Sequence, residues 1–223
     1  MAEPARYTKF GRYGEELSFV IDSLTIADEG NYFKVVNPTP GTAIADVIRS
    51  SFSSTAALFV IQNGQLANQA RVYLDYLKLL VRTNPTNATS VEYVVALDNT
   101  VRYSTGGTTI TTLANTNMDH VRTSSASVYF GAVTTTSESA SVRRIARGTL
   151  RGIANAVNDV LLIKFQQTEG APGSALGSTA GIVVDVAGPA IAGGGHTVLV
   201  HTWYPANTTT AAQFEFEAGW WER

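Results

Sequence analysis

The sequence predicts an all-β fold built from antiparallel strands, as a sandwich, a jelly roll or a barrel. Three observations indicate this: short apolar segments recur along the chain, turn residues separate them at short intervals, and few segments show a helical apolar period. Counting these segments gives about eight to ten strands. A chain of 223 residues with 44% hydrophobic residues is long enough for one large core, so we expect one β-domain.

The first residues predict an N-terminal arm over residues 1–16, followed by a single β-domain over residues 17–223. Aromatic and basic residues alternate in this arm, with glycines between them. Such a segment is either a first strand over one end of the core or an extension that clasps a neighbouring subunit, an anionic lipid surface or nucleic acid. The predicted contact residues of the arm are Tyr7, Lys9, Phe10, Arg12 and Tyr13.

Strand patterns follow in the first third of the domain. Residues 17–21 and 32–36 are strand-like, and the second segment ends at a proline-containing turn, because proline cannot donate to a ladder. Residues 42–54 fit a short helix or an alternating strand equally well. Residues 58–61 predict a buried strand that ends at an Asn-Gly turn.

The pattern over residues 71–83 fits a helical stripe as well as a strand. The turn residues that follow favour the strand, and residues 91–97 then predict its antiparallel partner in a long hairpin. We expect a second hairpin-like unit after it, with its turn at Gly106 and Gly107.

The C-terminal residues predict two more strands joined by a polar loop. Residues 196–204 follow a run of three glycines, and residues 213–223 carry alternating aromatic and acidic side chains. Aromatic bulk this close to the last residue favours a packed strand over a disordered tail. The predicted packing anchors are Trp203, Trp220 and Trp221.

Composition restricts the classes of function. Charged residues make up only 15% of the chain and the formal net charge is −2. Such a neutral, hydroxyl-rich surface lacks the repulsion that keeps monomers apart and suits contact with copies of the same chain. It also lacks the positive field needed for bulk binding of nucleic acid. With no cysteine, no export signal and no apolar segment of bilayer length, the chain predicts a soluble protein made in a reducing cytoplasm.

No pattern predicts catalysis, a metal or a cofactor. Glu215 and Glu217 share one face of a strand about 7 Å apart, a spacing that paired-carboxylate glycoside chemistry allows. An amphipathic strand with its phenylalanines inward and its acids in solvent is the simpler interpretation. His196 and His201 would point to opposite faces of a strand and cannot share a metal ion unaided. The glycine run lacks the Lys-Ser/Thr of a phosphate loop.

One cationic cluster stands out. On a helix or on a regular strand, Arg143, Arg147 and Arg151 lie on the same side. The row either pairs with carboxylates such as Glu215 and Glu217, on the same or a neighbouring copy, or contacts an anionic layer of nucleic acid or lipid. Exposed ion pairs contribute only about 0–1 kcal/mol each, so between subunits the row would serve registration more than affinity. The predicted contact residues are Arg143, Arg144, Arg147 and Arg151.

These features together resemble the jelly-roll structural proteins of viruses, particularly bacteriophage coat or capsid-decorating proteins. The resemblance covers most of the chain: the eight or so antiparallel strands, the Thr-, Ser- and Asn-rich loops, the aromatic-basic arm and the terminal Gly219-Trp220-Trp221-Glu222-Arg223. It implies a coat subunit without catalysis, assembled in the host cytoplasm, which forms the closed icosahedral shell of a virion through repeated contacts with its own copies.

The chain departs from one common coat-protein pattern, because it has no long polybasic arm. The resemblance therefore implies limited direct nucleic-acid contact, and a shell whose inner face meets a membrane or another virion protein. A protein bound to the exterior of a shell is the alternative. No small-molecule substrate is implied.

Two further interpretations come from other classes of protein. A carbohydrate-binding or receptor-binding β-sandwich would present exposed tryptophans as a platform for sugar rings. A β-sandwich hydrolase would use Glu215 or Glu217.

Overall fold

The computed structural model describes residues 6–10, 16–20, 27–66, 69–85, 88, 90–111, 113–151, 158–166, 181–187, 190–207 and 209–223. Two sheets pack face to face as a β-sandwich, so the prediction of an all-β sandwich is confirmed. The strands of the described residues are β1 (Arg6–Phe10), β2 (Glu16–Val20), β3 (Tyr32–Val36), β4 (Ile44–Ala45), β5 (Ala56–Asn63), β6 (Val72–Thr83), β7 (Val91–Asp98), β8 (Tyr103–Ile110), β9 (Ala114–Asn115), β10 (Ala126–Thr135), β11 (Arg143–Arg151), β12 (Val160–Gln166), β13 (Gly181–Ala187), β14 (Ala190–Ala192), β15 (Thr197–Trp203) and β16 (Gln213–Glu222).

Among the described strands, six form one sheet, in the order β11-β7-β15-β5-β10-β8. The other has eight strands, in the order β13-β12-β6-β16-β3-β9, with β14 beside β6 and β4 beside β16. The pairings within both sheets are antiparallel, except that β12 and β13 run parallel. More strands form than were predicted, because short strands such as β4, β9 and β14 carry too few residues to produce a periodic pattern.

The main core lies between the two sheets and follows from the alternation along each strand. On β16, Phe214, Phe216, Ala218 and Trp220 are all buried, as the sequence pattern predicts. The ring of Phe216 stacks on Phe130 of the opposite sheet at 4.1 Å between centroids. Burying one large aromatic side chain contributes roughly 1.5–3 kcal/mol, so these rings stabilise the contact between the sheets.

The prediction of a hairpin between residues 71–83 and 91–97 is wrong. Both segments are strands, but β6 lies in the eight-stranded sheet between β12 and β16, whereas β7 lies in the six-stranded sheet between β11 and β15. Each strand has one apolar face, and the faces meet across the core when consecutive strands lie in different sheets. Local sequence shows that two strands follow one another, but it does not show which sheet each one joins.

The predicted turn at Gly106 and Gly107 is also wrong. Both glycines lie inside β8, where they have positive φ angles of 74° and 66°. They face an irregularity in the pairing with β10 between Phe130 and Val133. A Cβ atom on Gly107 would fall 2.5 Å from a methyl group of Val133, so glycine is required there for close approach.

The outer face of the six-stranded sheet is covered by the chain's own loops. Leu199 is the centre of a small second core there, since it lies opposite Val60 and Ala96 on the neighbouring strands. This arrangement explains why every residue of β15 is buried, although a strand with one solvent-facing side would show alternation.

Candidate functional site

The predicted arm lies partly within the described residues. Tyr7, Lys9 and Phe10 belong to β1, which pairs with β2 in a separate two-stranded antiparallel sheet. Arg12 and Tyr13 lie outside the described residues. The proposed division of the chain at residues 16 and 17 falls at the start of β2 and stays a prediction, as does the role of the arm in contacts.

The arginine row lies on β11, which ends the order of the six-stranded sheet among the described strands. The prediction that Arg143, Arg147 and Arg151 share one side is wrong, because β-bulges interrupt the pairing with β7 after Arg144 and after Thr149. Arg144 and Arg147 lie opposite outward residues of β7. Arg143 and Arg151 lie opposite residues whose side chains meet the main core. A bulge adds one residue and so reverses the side on which later residues lie.

A small pocket of about 150 Å³ lies beside Arg144 and Arg147 on the outer face of the six-stranded sheet. The guanidinium of Arg144 lies 5.1 Å from the centre of the Phe52 ring and binds the Glu138 carboxylate through two contacts of 2.9 and 2.7 Å. The ring of Trp203 meets Phe52 edge to face at 5.7 Å. We call this site, lined by Phe52, Val94, Arg144, Arg147 and Trp203, the aromatic-arginine pocket.

The two remaining tryptophans occupy opposite faces of β16. Trp220 is fully buried, where it stacks on Phe33 and donates its indole N–H to Glu222 at 3.2 Å. Trp221 is half-buried on the outer face and stacks on Tyr73 at 5.5 Å with the rings almost parallel. The adjacent tryptophans therefore face different environments, as strand alternation requires.

The outer face of the eight-stranded sheet carries a network of charges and tyrosines centred on Glu217. Its carboxylate lies 2.8 Å from the Lys34 ammonium and 3.5 Å from the Lys78 ammonium, and it accepts a hydrogen bond of 2.5 Å from Tyr76. Burial alone would raise the pKa of Glu217, but its bonds to Lys34 and Tyr76 outweigh this and lower it. The hydrogen bond between Lys34 and Glu217 raises the pKa of Lys34 to about 12.

Glu215 has its own cation. The Arg82 guanidinium donates to it at 2.6 Å, and this hydrogen bond lowers the pKa of Glu215. Glu215 and Glu217 also line a depression of about 210 Å³ on the outer face. Glycoside hydrolysis needs one carboxyl group with a raised pKa as the acid. Both groups shift in the other direction, so this pair does not have the electrostatics of that chemistry.

The partners of Glu215 and Glu217 also show which cations neutralise these two carboxylates. The interpretation in which the arginine row pairs with Glu215 and Glu217 of the same chain is wrong. The two glutamates bind cations on the eight-stranded sheet, whereas Arg144 binds Glu138 beside the six-stranded sheet.

The histidines do not converge. His201 is buried on the outer side of the six-stranded sheet, with Nδ1 at 2.7 Å from the carbonyl oxygen of Ala56 and its ring against Phe52. Burial lowers the pKa of His201 to about 4, so its ring is neutral at pH 7. Within the described ranges, no three His, Asp or Glu side chains lie where they could hold a metal ion, and no helix is long and apolar enough to cross a bilayer.

Sequence reasoning missed a buried ion pair that holds the loops over the six-stranded sheet. Arg102 is wholly buried and binds Asp98 at 2.8 Å, while its other nitrogens donate to the carbonyl oxygens of Thr136 and Ser54. Burial alone would raise the pKa of Asp98, but hydrogen bonds, chiefly from Ser139, lower it to about 2. The only signal in the sequence is opposite charge four residues apart, which is common on exposed surfaces and so predicts no burial.

Comparisons with protein-family models, with curated proteins and with solved structures found no match to this chain.

Proposed function

We propose that this chain is a virion structural protein: a coat subunit of jelly-roll type that self-assembles into an icosahedral shell. The observation that carries the proposal is the order of strands in the two sheets. Jelly rolls are the double-sheet folds of viral capsid and lectin domains, among others.

Eight of the strands follow the order expected of a rolled hairpin. In chain order these are β3, β5, β6, β7, β11, β12, β15 and β16. The first pairs with the eighth and the third with the sixth in one sheet, while the second pairs with the seventh and the fourth with the fifth in the other. A single long hairpin of four strand pairs, rolled so that successive pairs alternate between two sheets, gives this order. It supports the jelly-roll interpretation, with the remaining strands as additions to that framework.

The composition of the surface favours assembly of copies over a soluble monomer. With 15% charged residues the exterior is mostly neutral, so copies would repel one another weakly. The strands β8 and β11 end the order of the six-stranded sheet among the described strands, and sheet edges readily contact other chains. Lateral contacts would then come from the arm residues, from the loops and from Arg144 and Arg147, which lie opposite outward residues of β7. The buried Trp203 and Trp220 hold the body on which these contacts are built.

Electron microscopy and size-exclusion chromatography of the purified chain test this proposal. We expect closed particles of uniform diameter at some ionic strength between about 0.05 and 1 M, where screening varies widely. A monomer at every ionic strength and at high protein concentration would contradict self-assembly. In that case the same chain added to preformed shells would test the alternative of a decorating protein on the shell exterior.

The location and partners follow from the same proposal. The chain would be made in the host cytoplasm and end in the virion, bound to its own copies and to other virion proteins. Its formal net charge of −2 argues for limited contact with the genome, so its inner surface would meet a membrane or a second protein layer.

A second candidate function is binding of carbohydrate or a receptor. One observation favours it: half-buried Trp221, stacked on Tyr73, lies with Tyr76 on the outer face of the eight-stranded sheet, where aromatic faces can meet sugar rings. Quenching of tryptophan fluorescence by iodide in the intact particle, lost in Trp221→Phe, would show that this ring stays open to ligands. If wild type and Trp221→Phe show the same quenching, only the role in a shell remains proposed.

A further inference from the structure

A loop held by several hydrogen bonds follows β9 at the edge of the eight-stranded sheet. We call residues 116–122 the tip loop. Two of its apolar side chains, Met118 and Val121, are 98% and 99% exposed. Both side chains are therefore free to contact another chain, as apolar side chains on interaction surfaces do.

Hydrogen bonds hold the backbone of the tip loop in place. The side chain of Asn115 accepts from the Asn117 N–H and donates to the carbonyl oxygen of Gly30. The side chain of Asn117 accepts from the Asp119 N–H and donates to the carbonyl oxygen of Asp28, each at 2.9 Å. The exposed side chains are therefore presented by an ordered loop, which lowers the entropy lost when such a loop binds.

The surroundings of the tip loop are acidic. Asp28, Glu29 and Asp119 are all exposed there. In the described part of the chain, neither Asp28 nor Asp119 forms an ion pair. The arginine of the loop, Arg122, turns back toward Glu222 at 3.7 Å. The tip loop thus offers apolar side chains beside unpaired negative charge.

The aromatic-arginine pocket offers the complement. Its walls are the rings of Phe52 and Trp203 and the side chain of Val94, and its volume of about 150 Å³ leaves room for about one unbranched side chain. Arg144 is occupied by Glu138, but among the described residues Arg147 has no ion pair. The pocket therefore combines an apolar floor with one available cation on its rim.

These two surfaces lie at opposite edges of the sandwich. The strand β11 contacts β13, which lies at one edge of the eight-stranded sheet among the described strands. The strand β9 lies at the other edge. A tip loop therefore lies far from the pocket of its own chain, across the width of the sheet. Surfaces that are complementary but at opposite edges form a head-to-tail contact, and such contacts close into rings when the rotation between copies allows it.

We infer that the tip loop of one copy docks into the aromatic-arginine pocket of the next, with Met118 against Phe52 and Asp119 facing Arg147. The inference rests on the proposed self-assembly and names the contact that would form it. A second copy is the occupant because the same chain carries both halves, matched in apolar character and in sign of charge.

Charge reversal tests the contact. Arg147→Glu and Asp119→Arg should each raise the protein concentration needed for half-maximal assembly about tenfold or more, because like charges would then face each other. The two changes in one chain should restore assembly toward the wild-type level. Arg143→Glu is the matched control, since it makes the same change on the other side of β11 and should have little effect. Failure of the combined variant to recover, or an equal loss in the control, would overturn the contact.

Disulfide trapping gives a readout that needs no shell. The chain has no cysteine, so Asp119→Cys and Arg147→Cys variants mixed under oxidising conditions can form only engineered bonds. We expect covalent heterodimers, because a disulfide forms when the two Cα atoms come within about 7 Å. A mixture with Arg143→Cys in place of Arg147→Cys should give far fewer. Heterodimers without particles would refute the shell and keep the contact, whereas particles without heterodimers or charge rescue would refute the contact and keep the shell.

Discussion

The outer face of the six-stranded sheet is covered by the chain's own loops. On the outer face of the eight-stranded sheet, which we call the open face, the described residues include ion pairs and tyrosines that are only partly buried. On the covered face, Arg102 and Asp98 are both wholly buried. On the open face, Lys78 and Lys34 keep 45% and 41% of their side chains exposed around Glu217. The same kind of charge pair thus occurs in two dielectric environments on the two faces of one sandwich.

The difference teaches where the stability of this fold is vulnerable. An exposed pair is screened by water and ions and contributes about 0–1 kcal/mol. Breaking a buried pair leaves one charge without a partner and costs about 3–5 kcal/mol. The buried pair also positions the loops around Phe52, so the covered face couples stability to the geometry of the aromatic-arginine pocket. The open face can change its charges without such a consequence.

The largest expected effect comes from breaking the buried pair. Arg102→Met should lower the free energy of unfolding by about 3–5 kcal/mol, because Asp98 loses its cation and two loop carbonyl oxygens lose their donor. Lys78→Met is the matched control on the open face, where we expect a change of about 1 kcal/mol or less. Urea unfolding followed by fluorescence measures both. Equal losses would contradict the contrast between the two faces.

Acid should weaken the covered face before the open one. The pKa of His201 is lowered from 6.5 to about 4 by burial, so between these values the unfolded chain binds a proton that the folded chain does not. The free energy of unfolding therefore falls as the pH falls from 6.5 to 4, by an amount on the order of 3 kcal/mol at about 1.36 kcal/mol per pKa unit.

The carboxylates extend this loss to lower pH. Because the pKa of Asp98 is lowered to about 2, its stabilising effect is present above its usual value of 3.8 and is lost as the pH falls toward 2. Glu215 and Glu217 likewise titrate below 4.5. Urea unfolding of wild type and His201→Gln at several pH values separates these contributions. A loss between pH 6.5 and 4.5 that persists in His201→Gln would assign it to another group.

The smallest effect should come from the open face. Glu217→Gln removes the charge that Lys34 and Lys78 share but keeps an oxygen that can accept from Tyr76. We expect the free energy of unfolding to fall by about 1 kcal/mol or less. The measured difference should shrink further at about 1 M salt, where exposed charges are screened. A loss as large as that of Arg102→Met would show that water and ions do not screen this network.

Predictions from sequence succeeded where they depended on period and failed where they depended on pairing. The alternation of residues 213–223 fixed which side chains of β16 face the core, because that alternation is a property of the extended backbone itself. The prediction that residues 71–83 form a hairpin with residues 91–97 failed for a simple reason. A turn can join two neighbouring strands of one sheet, but it can equally join strands that lie in two different sheets. The arginine row failed for a different reason, since a β-bulge shifts the alternation and leaves no mark in composition.

The candidate surfaces were predicted only in part. The arginine row is visible in the sequence, and such a row on a strand indicates an available cation. Phe52 and the tip loop gave no signal, because their importance depends on what the fold brings beside them. An exposed methionine and a buried one look the same in a sequence.

The sequence by itself determined that this chain forms strands, which residues of most strands face inward, and that its exterior carries little charge. These properties depend on neighbours along the chain and on composition. Only the tertiary structure decided which strands pair, which face of each sheet is covered, and which charges are buried. Those outcomes depend on contacts between residues far apart in sequence, such as Asp98 with Ser139 and Arg49 with Thr202, whose free energy exists only after the sheets have packed.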